Sequence, residues 1–321
     1  MIDVTVLLVS YNTREMTLAA IKSVYAQTKR RSFEIIVVDN GSRDGSAEAI
    51  TRAYPGVKLM RRPDNRGFAA GNNLGAREAR GTYLLLLNPD TEVLNGAIDN
   101  LVDFAERRSD GGAWGGVCVL GDGRIDPGCR QMEPTLIGRF GSLIGLDGRR
   151  VAKLSRDEQF NGVVPVLEGA FMMLRRDLWQ QLGGFDETFV MYGEEADLCR
   201  RVRDAGYAIY MTGAARIRHF SGASATDSSR RTLQKTRGLM HYFRKHYGRA
   251  GTVAAGAAIW LHAMQRWVGG LVLTSLGRAS GRRLRDRFGQ IAMRPWLWWG
   301  GWHGQAFLAE VTSQSRPTKN R

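Results

Sequence analysis

Four short apolar runs, at residues 4–9, 35–38, 57–60 and 83–87, recur along the first hundred residues, and a helix-compatible stretch follows each of them. Runs without polar alternation suit strands buried on both faces, and the helices between them cover those faces. Repetition of that kind limits the chain to an open α/β architecture, a doubly wound and mostly parallel sheet. The helices are expected at 13–27, 46–54, 68–80 and 96–107. In such sheets ligands bind beyond the carboxyl ends of the strands. The polar segments at those ends are SYNTR at 10–14, DNGSRDGS at 39–46, RPDNRGF at 62–68 and NPD at 88–90. They are expected to line one crevice. The last of them is abrupt: four leucines run into Asn88, Pro89 and Asp90. Proline cannot continue a central ladder, so the strand ends there and leaves one carboxylate on its rim.

The later chain is less regular. Residues 111–165 are glycine-rich and weakly periodic, as in GLDGRRVAKLSRDEQFNG, which suggests loops that cover the site. A strand is expected over 163–174, then a short helix to 182. A further helix over 194–205 has acids at its start and arginines in its later half, as the helix dipole favours. Gly206 fits its stop. YAIYM at 207–211 and ARIRHF at 215–220 suit two short strands. Trp179, Phe185 and Phe189 are expected in the core.

Charge divides the chain. The formal net charge is +15, and all of it falls in residues 230–321, which hold 17 Lys and Arg against 2 Asp and Glu; residues 1–229 hold 29 of each. A neutral body with a basic extension is expected to meet something anionic, a membrane surface or a nucleic acid. Over 251–277 the extension turns apolar, interrupted by His262, Gln265 and Arg266. At 100° per residue, Ile259, Trp260, Ala263, Met264, Trp267 and Leu271 share one face. A spanning helix needs about 20 predominantly apolar residues, so an interfacial helix is preferred to a span. RPWLWWGGWHG then adds four tryptophans of the kind that lie among lipid headgroups. No finger, RNP or helix-turn-helix pattern is present, so no nucleic acid partner is expected. SQSRPTKNR at 313–321 reads as a loose end. The three cysteines, Cys118, Cys129 and Cys199, lack paired metal-ligand spacing and suit a reducing compartment. MIDVTVLLVSYN reads as a first strand rather than a signal peptide, which puts the protein on the cytoplasmic side.

Neither G-x-G-x-x-G after the first strand nor G-x-x-x-x-G-K-[ST] anywhere is present, so a dinucleotide oxidoreductase or P-loop enzyme is not expected. What the chain does carry, in order, is VSYN, IIVVDNGSRDGS, DNRGFAAGNNLGAREARGTYLLLLNPDTEV, EGAFMMLRRDLW, LGGFDETFVMYGEEADLCRRVRDAGY and RIRHFSGAS. Together these segments resemble the family 2 glycosyltransferases of the GT-A fold, in particular the bacterial rhamnosyltransferase-like branch. The resemblance runs from residue 3 to about 248. It implies a Rossmann-like nucleotide-sugar half over 1–110 and an acceptor half over 111–229. The basic amphipathic helical region at 230–321 would follow as a membrane-associating extension.

The family's donor is a nucleotide-diphosphate sugar. The first guess is dTDP-rhamnose, and a UDP- or GDP-sugar is the alternative. Asp39 matches the base-recognising aspartate, and Ser10, Tyr11 and Asn12 match the first-strand nucleotide loop. Asn65, Gly67, Phe68 and Asn73 fall in the segment that lines the nucleoside. These residue types also favour turns and N-caps, a reading that stays open for Ser42 and Asp44. Many members carry D-x-D where this chain has N-P-D, so one hard anionic ligand remains. The resemblance implies Mg²⁺ or Mn²⁺ held by Asp90 and His219, with Asn88 positioning phosphate or water. An ordinary hydrogen-bonded histidine is the other reading of His219. A cation there would stabilise charge building on the leaving diphosphate, and Arg66 could assist.

Members commonly show G-E-D where this chain has Gly193, Glu194 and Glu195. Glu195 therefore matches the base for the acceptor hydroxyl, and Glu194 and Asp197 are the runners-up. Favourable charge at a helix start would account for one such acid more easily than for three. A base opposite the leaving group implies single displacement with inversion. Glu168, Gly169 and Ala170 match a strand beneath the acceptor, and Tyr192 lies near it. An enzyme on the cytoplasmic face of the bacterial inner membrane, held peripherally, suits a polyprenyl-diphosphate-linked or glycan acceptor in envelope polysaccharide synthesis. Two other classes remain: a sugar-binding relative without activity, suggested by the N-P-D and E-E departures, and a basic nucleic-acid-binding protein.

Overall fold

The computed structural model describes residues 1–126, 129–145, 160–220 and 228–302. Of the covering loops expected over 111–165, residues 127–128 and 146–159 lie outside the described residues, as does the loose end at 313–321. Strands β1 (Val4–Ser10), β2 (Phe33–Asp39), β3 (Lys58–Arg61) and β4 (Tyr83–Leu87) stand side by side in the order β3-β2-β1-β4, all parallel. The helices α1 (Arg14–Gln27), α2 (Ser46–Ala53) and α3 (Gly67–Arg77) connect them. Strand β5 (Thr91–Leu94) and helix α4 (Ala97–Glu106) follow β4. Leu84, Leu85, Leu86 and Leu87 are all buried, as a strand sandwiched between helices requires.

Beyond β4 the sheet changes character. Strand β6 (Gly111–Val119) is buried along its whole length, where the sequence suggested loops. Its glycines serve close packing rather than turning: a Cβ on Gly116 would stand 2.3 Å from the Ala215 carbonyl oxygen. The strand expected over 163–174 is three pieces, β8 (Asn161–Val163), β9 (Val166–Leu167) and β10 (Phe171–Arg175). Strand β9 pairs with β7 (Arg130–Gln131) in a separate small sheet. Strand β10 runs antiparallel to both β4 and β6, so the sheet is mixed rather than parallel throughout. The two short strands expected near 207–220 are one, β11 (Ala208–His219), with a register shift between Thr212 and Arg216. It pairs parallel with β6 and antiparallel with β5 and β8, completing a nine-stranded sheet among the described residues.

Helices α5 (Leu136–Leu143), α6 (Arg176–Leu182) and α7 (Glu194–Asp204) complete this half. Trp179, Phe185 and Phe189 are buried, as expected. The extension begins with α8 (Ser228–Ser275), 48 residues kinked at Gly248, and α9 (Ala279–Met293) folds back along it. Their shared core contains Met240, Ala263, Ile291 and Trp298. Of the apolar face expected over 259–271, Ile259, Trp260, Ala263, Met264 and Trp267 pack inward there, and Leu271 stays exposed. Two of the tryptophans expected among headgroups are instead buried: Trp298 donates to the Ile291 carbonyl oxygen, and Trp302 packs on Val190 and Met191. Trp296 is exposed, as are Leu261, Val268, Leu271 and Val272 along α8 and Leu276 just after it. Among the described residues, no helix is long and apolar enough to cross a membrane.

Candidate active site

The crevice is built where four chain segments leave the sheet. Ser10 and Asp39 end β1 and β2, and Asn88, Pro89 and Asp90 follow β4. Asp39 is buried and accepts from the Ser42 amide at 3.2 Å. Its second role as a turn anchor therefore coexists with any contact to a base. Asn12 stands at φ 52°, and its side chain accepts from the Arg43 amide while its own amide donates to Ser42 Oγ. This residue pins the first loop to the second. Ser10 is fully buried against Thr13 and Thr17, and Tyr11 beside it is half-buried. Asn65 accepts from the Gly67 amide at the start of α3, where Phe68 packs against Phe185 and lies under Gly169. Asn73 does not reach the nucleoside crevice in this way. Its amide is consumed by Phe185 and Glu187, holding α3 to the loop after α6. Ser10, Asn12 and Asn65 thus shape the loops at the strand ends, and Asn73 fastens α3.

Asp90 is brought to His219 by strand pairing. His219 lies opposite Thr91 in the β11–β5 ladder, and its Nε2 is 3.4 Å from Asp90 Oδ1. The other ring nitrogen, Nδ1, is 3.9 Å from Glu168 Oε1. Glu168, Gly169 and Ala170 occupy the break between β9 and β10, and the Ala170 carbonyl accepts the Asn88 amide, tying that break to the N-P-D turn. Burial pushes the Glu168 carboxyl above the usual range; the His219 charge opposes this, while Asp126 and Glu195 add to it. Burial works against a charged His219, but Asp90 and Glu168 prevail and raise its pKa.

Whether a divalent cation fits can be judged from these groups. A carboxylate and an imidazole nitrogen face each other, the second nitrogen has a carboxylate behind it, and Glu168 Oε2 is buried without a hydrogen-bond partner. Cys118, Glu168 and His219 offer ligand atoms within 4.8 Å of one another. Carboxylate with imidazole is a donor set suited to Mn²⁺, and a histidine ligand backed by a carboxylate is the usual orienting arrangement. The residues fit the ion. Cys118 is a buried free thiol whose pKa is raised well above normal, by its hydrogen bond with Cys129 and by burial.

The opposite wall is the turn before α7. Tyr192 and Gly193 take positive φ, 68° and 100°, an uncommon state for tyrosine that the surrounding packing must enforce. The Gly193 amide donates to Glu195 Oε2 at 3.2 Å. Glu195 is partly exposed, and its charge reaches both Glu168 and Tyr192. Asp90 acts on the same tyrosine, whose pKa is raised chiefly by burial. Asp90 and Glu195 are thus both within electrostatic reach of Tyr192.

Glu194 is buried, with Oε2 unpartnered, and burial plus the Glu195 charge raises its pKa well above normal. Asp197 is fully buried and taken up by Arg201, Lys245 and His246. Burial alone would raise its pKa, yet these partners lower it. It bolts α7 to α8 and offers the crevice no oxygen, which corrects its place among the candidate bases. Sequence reasoning missed this role of Asp197, the orienting position of Glu168, and the approach of α8. That helix touches the active-site turn directly: a Cβ on Gly238 would lie 1.9 Å from the Tyr192 carbonyl oxygen.

The family model described as glycosyl transferase family 2 matches residues 5–183. The chain is 29% identical over 278 residues to N-acetylglucosaminyl-diphospho-decaprenol L-rhamnosyltransferase of Mycobacterium tuberculosis, covering 80% of this chain and 87% of that one. It is 27% identical to the O-antigen biosynthesis protein RfbC of Myxococcus xanthus over 64% of this chain, which is 16% of that protein. Among solved structures it resembles a mannosyltransferase from Pyrobaculum calidifontis in complex with GDP-Man and Mn²⁺, with a TM-score of 0.57 and 18% identity, covering 99% of this chain and 88% of that one. At that identity the likeness speaks for the GT-A fold alone.

Proposed function

The chain belongs to glycosyl transferase family 2 and is a glycosyltransferase, and from that premise we propose that it moves rhamnose from dTDP-rhamnose to a polyprenyl-diphosphate-linked sugar, inverting the anomeric carbon. The reading is supported by the cluster of Asp90, His219 and Glu168 at the strand ends, with the Glu195 charge acting on Glu168 and on Tyr192. The relative named for a diphospho-decaprenol acceptor supports the choice of acceptor and sugar.

In this mechanism Asp39 and the loops pinned by Asn12 and Asn65 hold the nucleoside, with residues 1–110 as the nucleotide-sugar half. Asp90 and His219 would hold Mg²⁺ or Mn²⁺, and Glu168 keeps the imidazole oriented. A bound cation supplies charge compensation for the departing diphosphate. Glu195, fixed by the Gly193 amide, takes the proton from the acceptor hydroxyl as that oxygen attacks the anomeric carbon. Burial and the charge of Glu195 push Glu194 toward its neutral form. Proton removal and bond cleavage occur on opposite faces of the sugar, so one displacement inverts the centre.

The extension is read as peripheral to the cytoplasmic face of the inner membrane. Its exposed Trp296, Leu261, Val268, Val272 and Leu276 stand in a strongly basic segment, which suits an anionic bilayer better than nucleic acid. The test is transfer from a panel of dTDP-, UDP- and GDP-sugars to a lipid-diphosphate sugar, with and without EDTA. Turnover with dTDP-rhamnose that stops on chelation and returns with Mn²⁺ is expected. Equal turnover after chelation would remove the cation, and preference for another sugar would remove rhamnose.

A further inference from the structure

Carboxylates stand on both sides of the crevice: Asp90 and Glu168 at the strand ends, Glu194 and Glu195 at the start of α7. A substrate carrying its own diphosphate would be repelled there unless cations met it at the mouth. The first turns of α8 supply them. Gly238 brings the helix backbone against the Tyr192 carbonyl, closer than any side chain would allow. That docking lays the preceding turn of α8 over Tyr192. Lys235 is exposed, and its Nζ stands 5.3 Å from the centre of the Tyr192 ring. Arg231, one turn earlier on the same helix face, exerts its charge on the same tyrosine. The same tyrosine also feels Asp90 and Glu195. Tyr192 is therefore the hinge point between the reacting centre and a cationic rim.

We propose that Lys235, held over Tyr192 by the Gly238 contact, and Arg231 one turn before it form a subsite for the diphosphate of the lipid-linked acceptor. The inference rests on the acceptor class proposed above and deepens it. An acceptor hydroxyl at Glu195 leaves its diphosphate on the outer side of the sugar ring, toward α8 and away from the carboxylates. Arginine and lysine at one turn's spacing can take separate phosphate oxygens through charge-assisted hydrogen bonds. The donor also carries a diphosphate, so the experiment must tell the two sources apart.

Lys235→Ala and Lys235→Arg are compared with the unaltered enzyme in three measurements: transfer to a lipid-diphosphate sugar, transfer to the octyl glycoside of the same sugar, and calorimetric binding of dTDP. A fourth measurement, calorimetric binding of farnesyl diphosphate, needs no turnover and so stands apart from the proposed reaction. Lys235→Ala is expected to raise the KM for the diphosphate acceptor about tenfold, with kcat, the octyl glycoside KM and dTDP affinity unchanged. The loss should shrink as salt screens the contact, Lys235→Arg should restore most of it, and farnesyl diphosphate should bind more weakly to Lys235→Ala. A rise in KM shared by both acceptors, or a loss of dTDP affinity, would give the cations to the donor and overturn the acceptor subsite. Unchanged values in all four would overturn the site altogether. Should the unaltered enzyme transfer nothing, the proposed reaction fails, while Lys235-dependent farnesyl diphosphate binding still decides the subsite.

Discussion

Gly238→Ala puts one methyl group into the contact between the extension and the active-site turn. The new Cβ would lie 1.9 Å from the Tyr192 carbonyl oxygen, where real Cβ atoms keep at least 3.0 Å. Both partners are backbone, so neither can rotate away, and the turn must shift by about 1 Å. Such overpacking costs about 1–3 kcal/mol. Alanine in a helix interior returns about 1 kcal/mol relative to glycine. The net destabilisation is then at most about 2 kcal/mol, and the unfolding midpoint should fall by no more than about 5 °C. Catalysis should suffer far more. The Gly193 amide that fixes Glu195 belongs to the displaced turn, and a misplacement of about 1 Å can lower a rate about a hundredfold. The assay pairs kcat for transfer with calorimetric dTDP binding and a melting curve. We expect kcat to fall about a hundredfold while dTDP affinity holds, because Asp39 lies on the other wall. A variant with the original kcat would refute the claim that α8 positions the base.

Two further expectations follow from the same geometry. Glu168→Gln should weaken Mn²⁺ binding about 10- to 100-fold, read by calorimetry on the enzyme with dTDP; unaltered affinity would mean that Glu168 does not orient His219. The Asp186 carboxyl is held down to about 2: burial alone would raise it, but bonds from Lys245 and Thr188 outweigh that. Its folded pKa lies below the ordinary 3.8, so its contribution to docking α8 is complete above that value and is lost as the pH falls toward 2. Hydrogen exchange of α8 should therefore accelerate across that window, and Asp186→Asn should flatten the response; the same slope in the variant would locate the titrating group elsewhere.

What the sequence revealed and concealed follows from how local each signal is. Leu84 to Leu87 announce a buried strand, and Pro89 fixes where it ends, so Asp90 could be placed on the rim without coordinates. Strand β6 escaped because its four glycines look like loop, whereas Gly116 is small to admit the Ala215 backbone. The reversal of β10 has no local signature, since an apolar run is the same in either direction. The Asp90–His219–Glu168 convergence joins residues far apart in the chain through the β11–β5 ladder, which only the family resemblance anticipated for His219. Asp197 read as a spare acid at a helix start because its partners, Lys245 and His246, lie in the extension. Trp298 read as a lipid anchor because composition cannot tell a headgroup layer from the core between α8 and α9.

The opposed walls of the crevice are tested most directly by the single-turnover rate of Glu195→Gln with saturating dTDP-rhamnose and Mn²⁺. The amide keeps the shape and the Gly193 bond but accepts no proton. Loss of general base catalysis should slow transfer by about 10²- to 10⁴-fold with dTDP-rhamnose affinity intact. Transfer at the original rate would contradict the account, since no carboxylate at Glu195 would then be needed.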